Sequence, residues 1–370
     1  MIASKTQTDT ALFAACMHYM LTGGKEPDWA GCAKIWDRLF RIAYQQAVEA
    51  LFYDVIQTCP SCFRPPKELC IRLYAHTLAI EEKNKYIDRV IRKIFTSYAE
   101  YGIRPVLIKG QALGTYYPHP AHRSPGDIDI FIPDNFERAD RWVAEHGNNI
   151  SSNAQEKKHI HFEWKGIPVE NHFKLAVFHN HDLDRHLQHI VRQAWDAHRN
   201  QACTTTCIDH YPIETLPPTL ALLHLLVHFA VHLTNWGVGL RQFHDIVLFM
   251  RNEKNQIDRS VLNRWIATLK LGHITTAIAQ ASINRYGLQA EDIPYSFIAG
   301  STRGDRLLHL LFKWGNFGRN NDSSKETHFD HFGKNALLYL RQSLEVYTFF
   351  PKEIRSALFM KSMKAFKRLI

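Results

Sequence analysis

The sequence predicts an α+β protein in which two helical regions flank a small mixed sheet. Residues 8–101 carry apolar side chains three and four positions apart, the spacing of amphipathic helices. From Gly102 onward, short runs of alternating apolar residues replace this spacing, which is typical of strands. Helical spacing returns after residue 180. We therefore expect three regions: an N-terminal helical region at 1–101, an α+β core at 102–180 and a mainly helical domain at 181–370.

The first region is expected to contain about four helices. Gly23-Gly24, Pro60 and Pro65-Pro66 interrupt the apolar spacing, and glycine and proline are the residues that most often end helices.

The core is expected to alternate strands with helices. Lys165-Gly166 is typical of a hairpin turn, and Pro133-Asp134 supplies a break with a helix-cap candidate. The predicted strands lie at 104–108, 127–132, 159–164 and 167–173, and the predicted helices at 109–117 and 135–146. A further strand or loop is expected near 203–211, ending at Pro212, before helices dominate the rest of the chain.

The composition is that of a globular protein and excludes disordered, collagenous and integral membrane classes. Hydrophobic residues make up 45% of the chain, and 45 Lys and Arg against 36 Asp and Glu give a net charge of +9. A basic balance suggests polyanionic partners, among them nucleotides and RNA. The first residues show no signal peptide, and the apolar stretch 220–233 is too short to cross a bilayer, so we expect a cytoplasmic location without membrane insertion.

Seven cysteines form an odd set, which favours reduced thiols over a disulfide framework. Cys59 with Cys62, and Cys203 with Cys207, are close pairs that are compatible with zinc but match no standard zinc spacing. Buried or incidental cysteines are the other interpretation.

Asp127 and Asp129 are the first candidates for chemistry. Two residues apart on a strand, their carboxylates project from one face and start about 6–7 Å apart. From that separation they can converge on metal ions held about 3.5–4 Å apart. Two adjacent acids repel unless a cation binds them, although an acidic pair on a solvated strand edge is also common.

Other residues can complete such a site. Glu170, on a later predicted strand, is well placed to supply a third carboxylate, and His172 lies on the same face. Upstream, Lys109-Gly110 ends a strand and begins a helix, where backbone N–H groups and an ammonium group can hold phosphates.

This ordered set resembles the DNA polymerase β-like nucleotidyltransferase superfamily, in which a glycine-containing turn precedes Asp-x-Asp and a third acid. The run Leu107-Ile108-Lys109-Gly110, followed by Tyr117-Pro118, Arg123 and Asp127-Ile128-Asp129, is more narrowly similar to an uncharacterised bacterial nucleotidyltransferase family. That family also has Glu-x-His, as in Glu170-Asn171-His172, and a downstream helix pattern similar to 224–228 with Arg241 and Asp245.

The resemblance implies a polymerase β-like core that moves an NMP group from an NTP, with ATP as the first candidate, and releases pyrophosphate. Asp127, Asp129 and Glu170 would bind two Mg²⁺ ions and act as the catalytic residues, while Lys109, Gly110 and Arg123 would bind the nucleotide phosphates. One departure concerns the usual Gly-Ser turn, which is here Lys109-Gly110-Gln111 without the serine. The acceptor, a small molecule, a peptide or protein, or RNA, stays open.

His172, His228, Arg241 and Asp245 are candidates for substrate contact. His224, His228 and His232 follow i, i+4, i+8 spacing and can form a metal-binding stripe or a polar seam in a buried helix. Arg241 and Asp245 can equally form an ion pair on a helix face. His159, His161 and Glu163 share one strand face that can line the cleft or face solvent.

Two other functions fit the same residues. A catalytically silent protein of this fold would bind nucleotide or RNA without turnover. A kinase would use the same metal site to transfer the γ-phosphoryl group.

Overall fold

The computed structural model describes residues 5–151, 159–199, 203–235, 237–316 and 339–366. The chain divides into two compact units. The first comprises Met1–Tyr44, Val48–Leu175 and Val191–Leu222, and the second Gln45–Ala47, Ala176–Ile190 and Leu223–Ile370. The three-region division from the sequence stays a prediction.

The N-terminal part of the chain is helical, as predicted, but it has five α-helices rather than about four. The additional helix is one short turn that begins after Asp28, whose side chain accepts a hydrogen bond from the Gly31 N–H at 3.0 Å. The five helices are α1 Lys5–Thr22, α2 Trp29–Ala33, α3 Trp36–Gln45, α4 Glu49–Thr58 and α5 Lys67–Glu100.

A five-stranded mixed sheet forms the centre of the first unit. Its strands are β1 Val106–Leu107, β2 Ile128–Phe131, β3 Asn148–Ser151, β4 His159–Trp164 and β5 Ile167–His172. Their order is β1-β2-β5-β4-β3, and β2 pairs with β5 in parallel while the other described pairs are antiparallel. The α+β class and the small mixed sheet are therefore confirmed.

The two faces of this sheet differ in chemistry. Ile128, Ile130 and Ile132 alternate along β2 and its extension, and they belong to the same apolar core as Ile91 of α5 and Trp142. Residues alternate faces along a strand, so the carboxylate of Asp129 projects from the opposite face.

Several local predictions need correction. The helix predicted at 109–117 is only α6 Gln111–Gly114, since prolines follow closely at 118 and 120. The next helix, α7 Phe136–His146, is preceded by Asn135 at φ 58°, not capped by Asp134. Asp134 instead accepts a hydrogen bond from the Trp195 ring N–H at 3.3 Å. Strand β3 was missed because its four residues are exposed and lack apolar alternation.

The hairpin turn at Lys165-Gly166 is confirmed, with φ of 51° and 72° at its two residues. A second hairpin, β6 Thr205–Ile208 and β7 Tyr211–Glu214, stands where a strand or loop was expected. Pro212 lies within β7 rather than ending a strand.

The rest of the chain is mainly helical. Beyond the core the helices are α8 His181–His198, α9 Pro218–Asn235, α10 Leu240–Glu253, α11 Arg259–Thr268, α12 Gly272–Tyr286 and α13 Arg303–Trp314, with further helix at 339–346 and Pro351–Phe366. Among the helices that the structure describes, none combines the length and apolarity needed to cross a bilayer.

Candidate active site

Strand register brings the predicted acids together. Asp129 of β2 pairs with Glu170 of β5 in the parallel register, and Glu170 pairs with His161 of β4 in the antiparallel register. Two residues further along β5, His172 pairs with His159 of β4. One face of the sheet thus carries a patch of carboxylates and imidazoles across three neighbouring strands.

Asp129 is the buried centre of this patch, with 3% of the residue exposed. The Lys109 ammonium nitrogen lies 2.7 Å from its Oδ1, and His172 Nε2 lies 2.8 Å from the same oxygen. Burial acts to raise the pKa of Asp129, but the positive charge of Lys109 and the hydrogen bond from His172 outweigh it and lower that pKa. Asp129 is therefore held as a carboxylate.

Lys109 reaches Asp129 because the chain continues the β1–β2 pairing one residue further. The Ile108 N–H donates to the Asp129 carbonyl oxygen at 3.2 Å, which places Lys109 beside the acids. Burial works against its charged form, yet the charges of Asp129, Asp127 and Glu170 raise the pKa of Lys109 above its ordinary value. The ammonium group predicted to hold phosphate thus also compensates part of the negative charge of the acid cluster.

The pKa of Asp127 shifts in the opposite direction from that of Asp129. The charge of Asp129 and then burial raise its pKa to about 6, with Lys109 acting in the opposite direction. A carboxyl group that shares a site with another negative charge is the kind of group that a divalent cation converts to the charged form.

Glu170 lies between the acids and the histidines. Its Oε2 is 3.0 Å from His172 Nε2, and its Oε1 is 3.1 Å from His161 Nδ1. Burial acts to raise its pKa, but the hydrogen bond from His172 outweighs this effect, and the pKa falls to about 2. His172, which is fully buried, therefore bridges Asp129 and Glu170.

Two groups of side chains on this face can hold a metal ion. One consists of Asp129, Glu170 and His172, and in each group one donor atom per residue lies within 4.8 Å of the others. The second consists of His159, His161 and Glu170. Asp127 belongs to neither group among the described residues, and His172, expected only to contact substrate, belongs to the first.

The turn before the acids is held by a residue that the sequence did not single out. Asn84 of α5 accepts a hydrogen bond from the Gln111 side chain at 3.0 Å. Its amide group donates to the carbonyl oxygens of Ala121 and Arg123 at 2.6 and 2.9 Å. The signal was present in the sequence, because Asn84 is a polar residue in the buried stripe that continues through Ile87 and Ile91.

Gly110 and Arg123, both predicted to bind phosphate, lie on the two segments that Asn84 connects. Gly110 has φ 61° and ψ −121°, and a Cβ there would lie 3.7 Å from the Asp127 carbonyl oxygen. Arg123 is buried, with 8% exposed. Its side chain passes near Gly114, where a Cβ would lie 3.8 Å from the Arg123 Cδ.

The other predicted residues lie elsewhere in the chain. His228 is on α9, and Arg241 and Asp245 are on α10, all within the second unit. The rings of His228 and His232 are 4.2 Å apart, and those of His224 and His228 are 5.8 Å apart. Among the described residues, neither group that can hold a metal ion includes a cysteine or a residue of this histidine stripe.

The face therefore combines oxygen ligands for hard cations, a buried lysine and a turn that requires glycine. A family model described as "Uncharacterised nucleotidyltransferase" matches residues 33–281, which is more than half of the chain and includes this entire face. No curated protein and no solved structure matches the chain.

Proposed function

This chain belongs to the uncharacterised nucleotidyltransferase family, and from that premise we propose that it transfers an NMP group from an NTP to an acceptor hydroxyl or phosphate, with release of pyrophosphate. The observation that carries the proposal is the register of β2 and β5, which sets Glu170 beside Asp129. The charges of both residues also act on Asp127. A polymerase β-like core accounts for this arrangement, with the acid pair and the third acid on adjacent parallel strands.

The residues of this face fit a divalent cation. Asp127, Asp129 and Glu170 supply carboxylate oxygens, the ligands that Mg²⁺ prefers, and the raised pKa of Asp127 reports negative charge that lacks sufficient compensation. We assign two Mg²⁺ ions to these three residues. When bound, such ions stabilise the attacking and leaving oxygens of an in-line displacement.

The protein groups around the acids have separate roles in this proposal. Lys109 keeps Asp129 ionised and lies close enough to the acids to neutralise phosphate charge beside them. Gly110 lets the backbone turn next to Asp127, and Arg123 adds a second cation. Asn84 fixes the segments that carry these residues, and His172 orients Asp129 and Glu170.

The nucleotide is proposed to be ATP, and the acceptor a small molecule, a peptide or a protein, with RNA as a further candidate because of the +9 charge. His228, Arg241 and Asp245 stay proposals for acceptor contact, based on the sequence pattern alone.

The product that receives the labelled phosphorus of ATP distinguishes the three functions that this site can support. The full-length protein, with Mg²⁺ and a cell extract as the source of acceptors, is incubated with ATP labelled at either the α- or the γ-phosphorus. Nucleotidyl transfer puts the α label on an acceptor and the γ label in pyrophosphate. Transfer of the γ label to an acceptor would establish a kinase, and nucleotide binding without either transfer would establish a silent binding protein.

The labelled acceptor must also depend on the proposed residues. Asp127→Asn is expected to abolish transfer of the α label, whereas Asp134→Asn, which alters an acid beside Trp195, is the matched control and should retain it.

A further inference from the structure

The face that carries the acid pair continues onto β4 with histidines that nucleotidyl transfer does not use. His159 and His161 lie two apart on β4, with their side chains beside Glu170. Glu163, the third polar residue of that strand face, instead accepts a hydrogen bond from Asn149 at 3.0 Å. The two imidazoles therefore gather at Glu170 and not along the whole strand.

The distances around Glu170 are close to those between the ligands of a tetrahedral metal ion. Its Oε1 is 3.1 Å from His161 Nδ1 and its Oε2 is 3.8 Å from His159 Nδ1. Ligand atoms about 2.0–2.1 Å from a tetrahedral zinc are about 3.3 Å from each other. The two nitrogen–oxygen separations lie on either side of that value. One donor atom from each of the three residues lies within 4.8 Å of the others, so the side chains can converge on a single ion.

The orientation of the two rings also favours a cation beside Glu170. The Nε2 atoms of His159 and His161 are in hydrogen-bond contact. This contact joins the two rings at their Nε2 atoms and leaves both Nδ1 atoms facing Glu170. A neutral imidazole nitrogen is a common metal ligand. Neutral imidazole with one carboxylate is a donor set for first-row transition metals, whereas Mg²⁺ takes oxygen ligands and water.

The surroundings resemble an open metal site with a supported ligand. His172, fully buried, holds Glu170 Oε2 at 3.0 Å, which is the kind of hydrogen bond that orients a metal-binding carboxylate. The His161 side chain is 44% exposed, so solvent reaches the group from that side. Three protein ligands with access for water are the pattern of sites that keep a coordination position open.

We propose that His159, His161 and Glu170 form a binding site for a divalent first-row transition metal ion, separate in its ligand chemistry from the Mg²⁺ site of the acid pair. Glu170 belongs to both sites, so an ion held by the histidines lies directly beside the reaction centre. This inference rests on the β4 histidines and does not require nucleotidyl transfer.

Co²⁺ binding to the metal-free full-length protein tests the site, because Co²⁺ reports its ligands through visible absorption. In excess Mg²⁺, which occupies the acid pair, we expect one Co²⁺ per chain with absorption bands of nitrogen and oxygen coordination. His161→Ala should weaken Co²⁺ binding at least tenfold, since even loss of a supporting residue outside the ligand set costs about 10–100-fold. His159→Gln should also weaken it, and provides a second variant if one of them folds poorly by circular dichroism.

The matched control is His186→Ala, which removes an exposed histidine of α8 and should leave Co²⁺ affinity unchanged. Unchanged binding in both β4 variants, or displacement of Co²⁺ by an equal concentration of Mg²⁺, would overturn the site. Asp127→Asn should still bind Co²⁺ while losing transfer of the α label. Co²⁺ binding without nucleotidyl transfer would support the metal site and contradict the proposed function. Pyrophosphate release without Co²⁺ binding would contradict the metal site and support the proposed function.

Discussion

Gly110 is the residue at which backbone conformation and site geometry depend most directly on each other. Its φ of 61° with ψ of −121° is a combination that essentially only glycine adopts. A Cβ would meet no atom closer than 3.7 Å, so the requirement for glycine comes from the backbone and not from crowding.

Replacement of Gly110 by alanine is therefore expected to destabilise the protein by about 1–3 kcal/mol, the cost of holding a side chain in a sparsely populated backbone region. Urea unfolding of the variant and the wild type measures this loss of stability. Gly272→Ala is the control, because Gly272 opens α12 with an open space at its Cβ and should be tolerated without loss. Equal stability of Gly110→Ala and the wild type would show that the turn is not constrained as described.

Asp88 of α5 is a carboxyl group whose negative charge is not sufficiently compensated by its surroundings. Burial first, and then the charge of Asp209, raise its pKa to about 6. One of its oxygens is buried and, among the described residues, has no hydrogen-bond partner. An acid with a raised pKa in the folded state binds its proton more tightly there, so stability decreases as pH rises from about 4 to about 6.

We therefore predict that Asp88→Asn is more stable than the wild type at pH 7.5 and that this advantage disappears near pH 4. Urea midpoints at the two pH values measure the difference. Asp140→Asn, at an exposed position of α7, should show no such gain. An Asp88→Asn protein that is less stable than the wild type at pH 7.5 would mean that the carboxylate has a stabilising partner.

At the scale of elements, a histidine joins two helices to the loop before the acid pair. His122 Nδ1 lies 2.8 Å from Asp54 of α4, and its Nε2 lies 2.9 Å from Glu81 of α5. The hydrogen bond with Asp54 raises the pKa of His122 above 6.5, burial opposes it, and Glu81 adds to the increase. Both ring nitrogens can donate only in the charged form.

The stabilisation from this contact should be fully present below pH 6.5 and should decrease as pH rises through the higher pKa of the folded state. His122→Ala leaves the buried Asp54 without this partner and should cost about 1.5–3 kcal/mol at pH 6, with a smaller cost at high pH. Chemical unfolding as a function of pH checks this, with the exposed neighbour His119→Ala as control. A cost that does not change with pH would contradict a charged His122.

Elements with a strong periodic signal could be predicted from the sequence, and those set by tertiary contacts could not. Alternation along 159–164 and 167–172, with Lys165-Gly166 between them, predicts the β4–β5 hairpin that the structure shows. Strand β3 has exposed polar residues and depends on pairing with β4, so nothing in its sequence distinguishes it from a loop. The helix after Gly110 was predicted too long, since α6 ends at Gly114 and prolines follow at 118 and 120.

At the scale of the whole molecule, the order of the candidate site residues along the chain supports a prediction from the sequence. The contacts between these residues cannot be predicted in that way. The i, i+2 spacing of Asp127 and Asp129 gives their shared face, and the later strand supplies Glu170. The ion pair between Lys109 and Asp129 and the role of Asn84 depend on strand register and on where α5 packs, which a single sequence does not encode as a local pattern.

The most direct measurement is Mg²⁺-dependent pyrophosphate release from ATP, with a cell extract as the source of acceptors. It compares wild-type protein with Asp129→Asn, Glu170→Gln and the control Asp134→Asn. With folding confirmed by circular dichroism, we expect release by wild type and control. We expect a decrease of at least about a hundredfold in both site variants, because loss of a metal ligand exceeds the usual cost of losing its supporting residues. Release that persists in Asp129→Asn and Glu170→Gln at the wild-type rate would contradict the assignment of this sheet face as the catalytic centre.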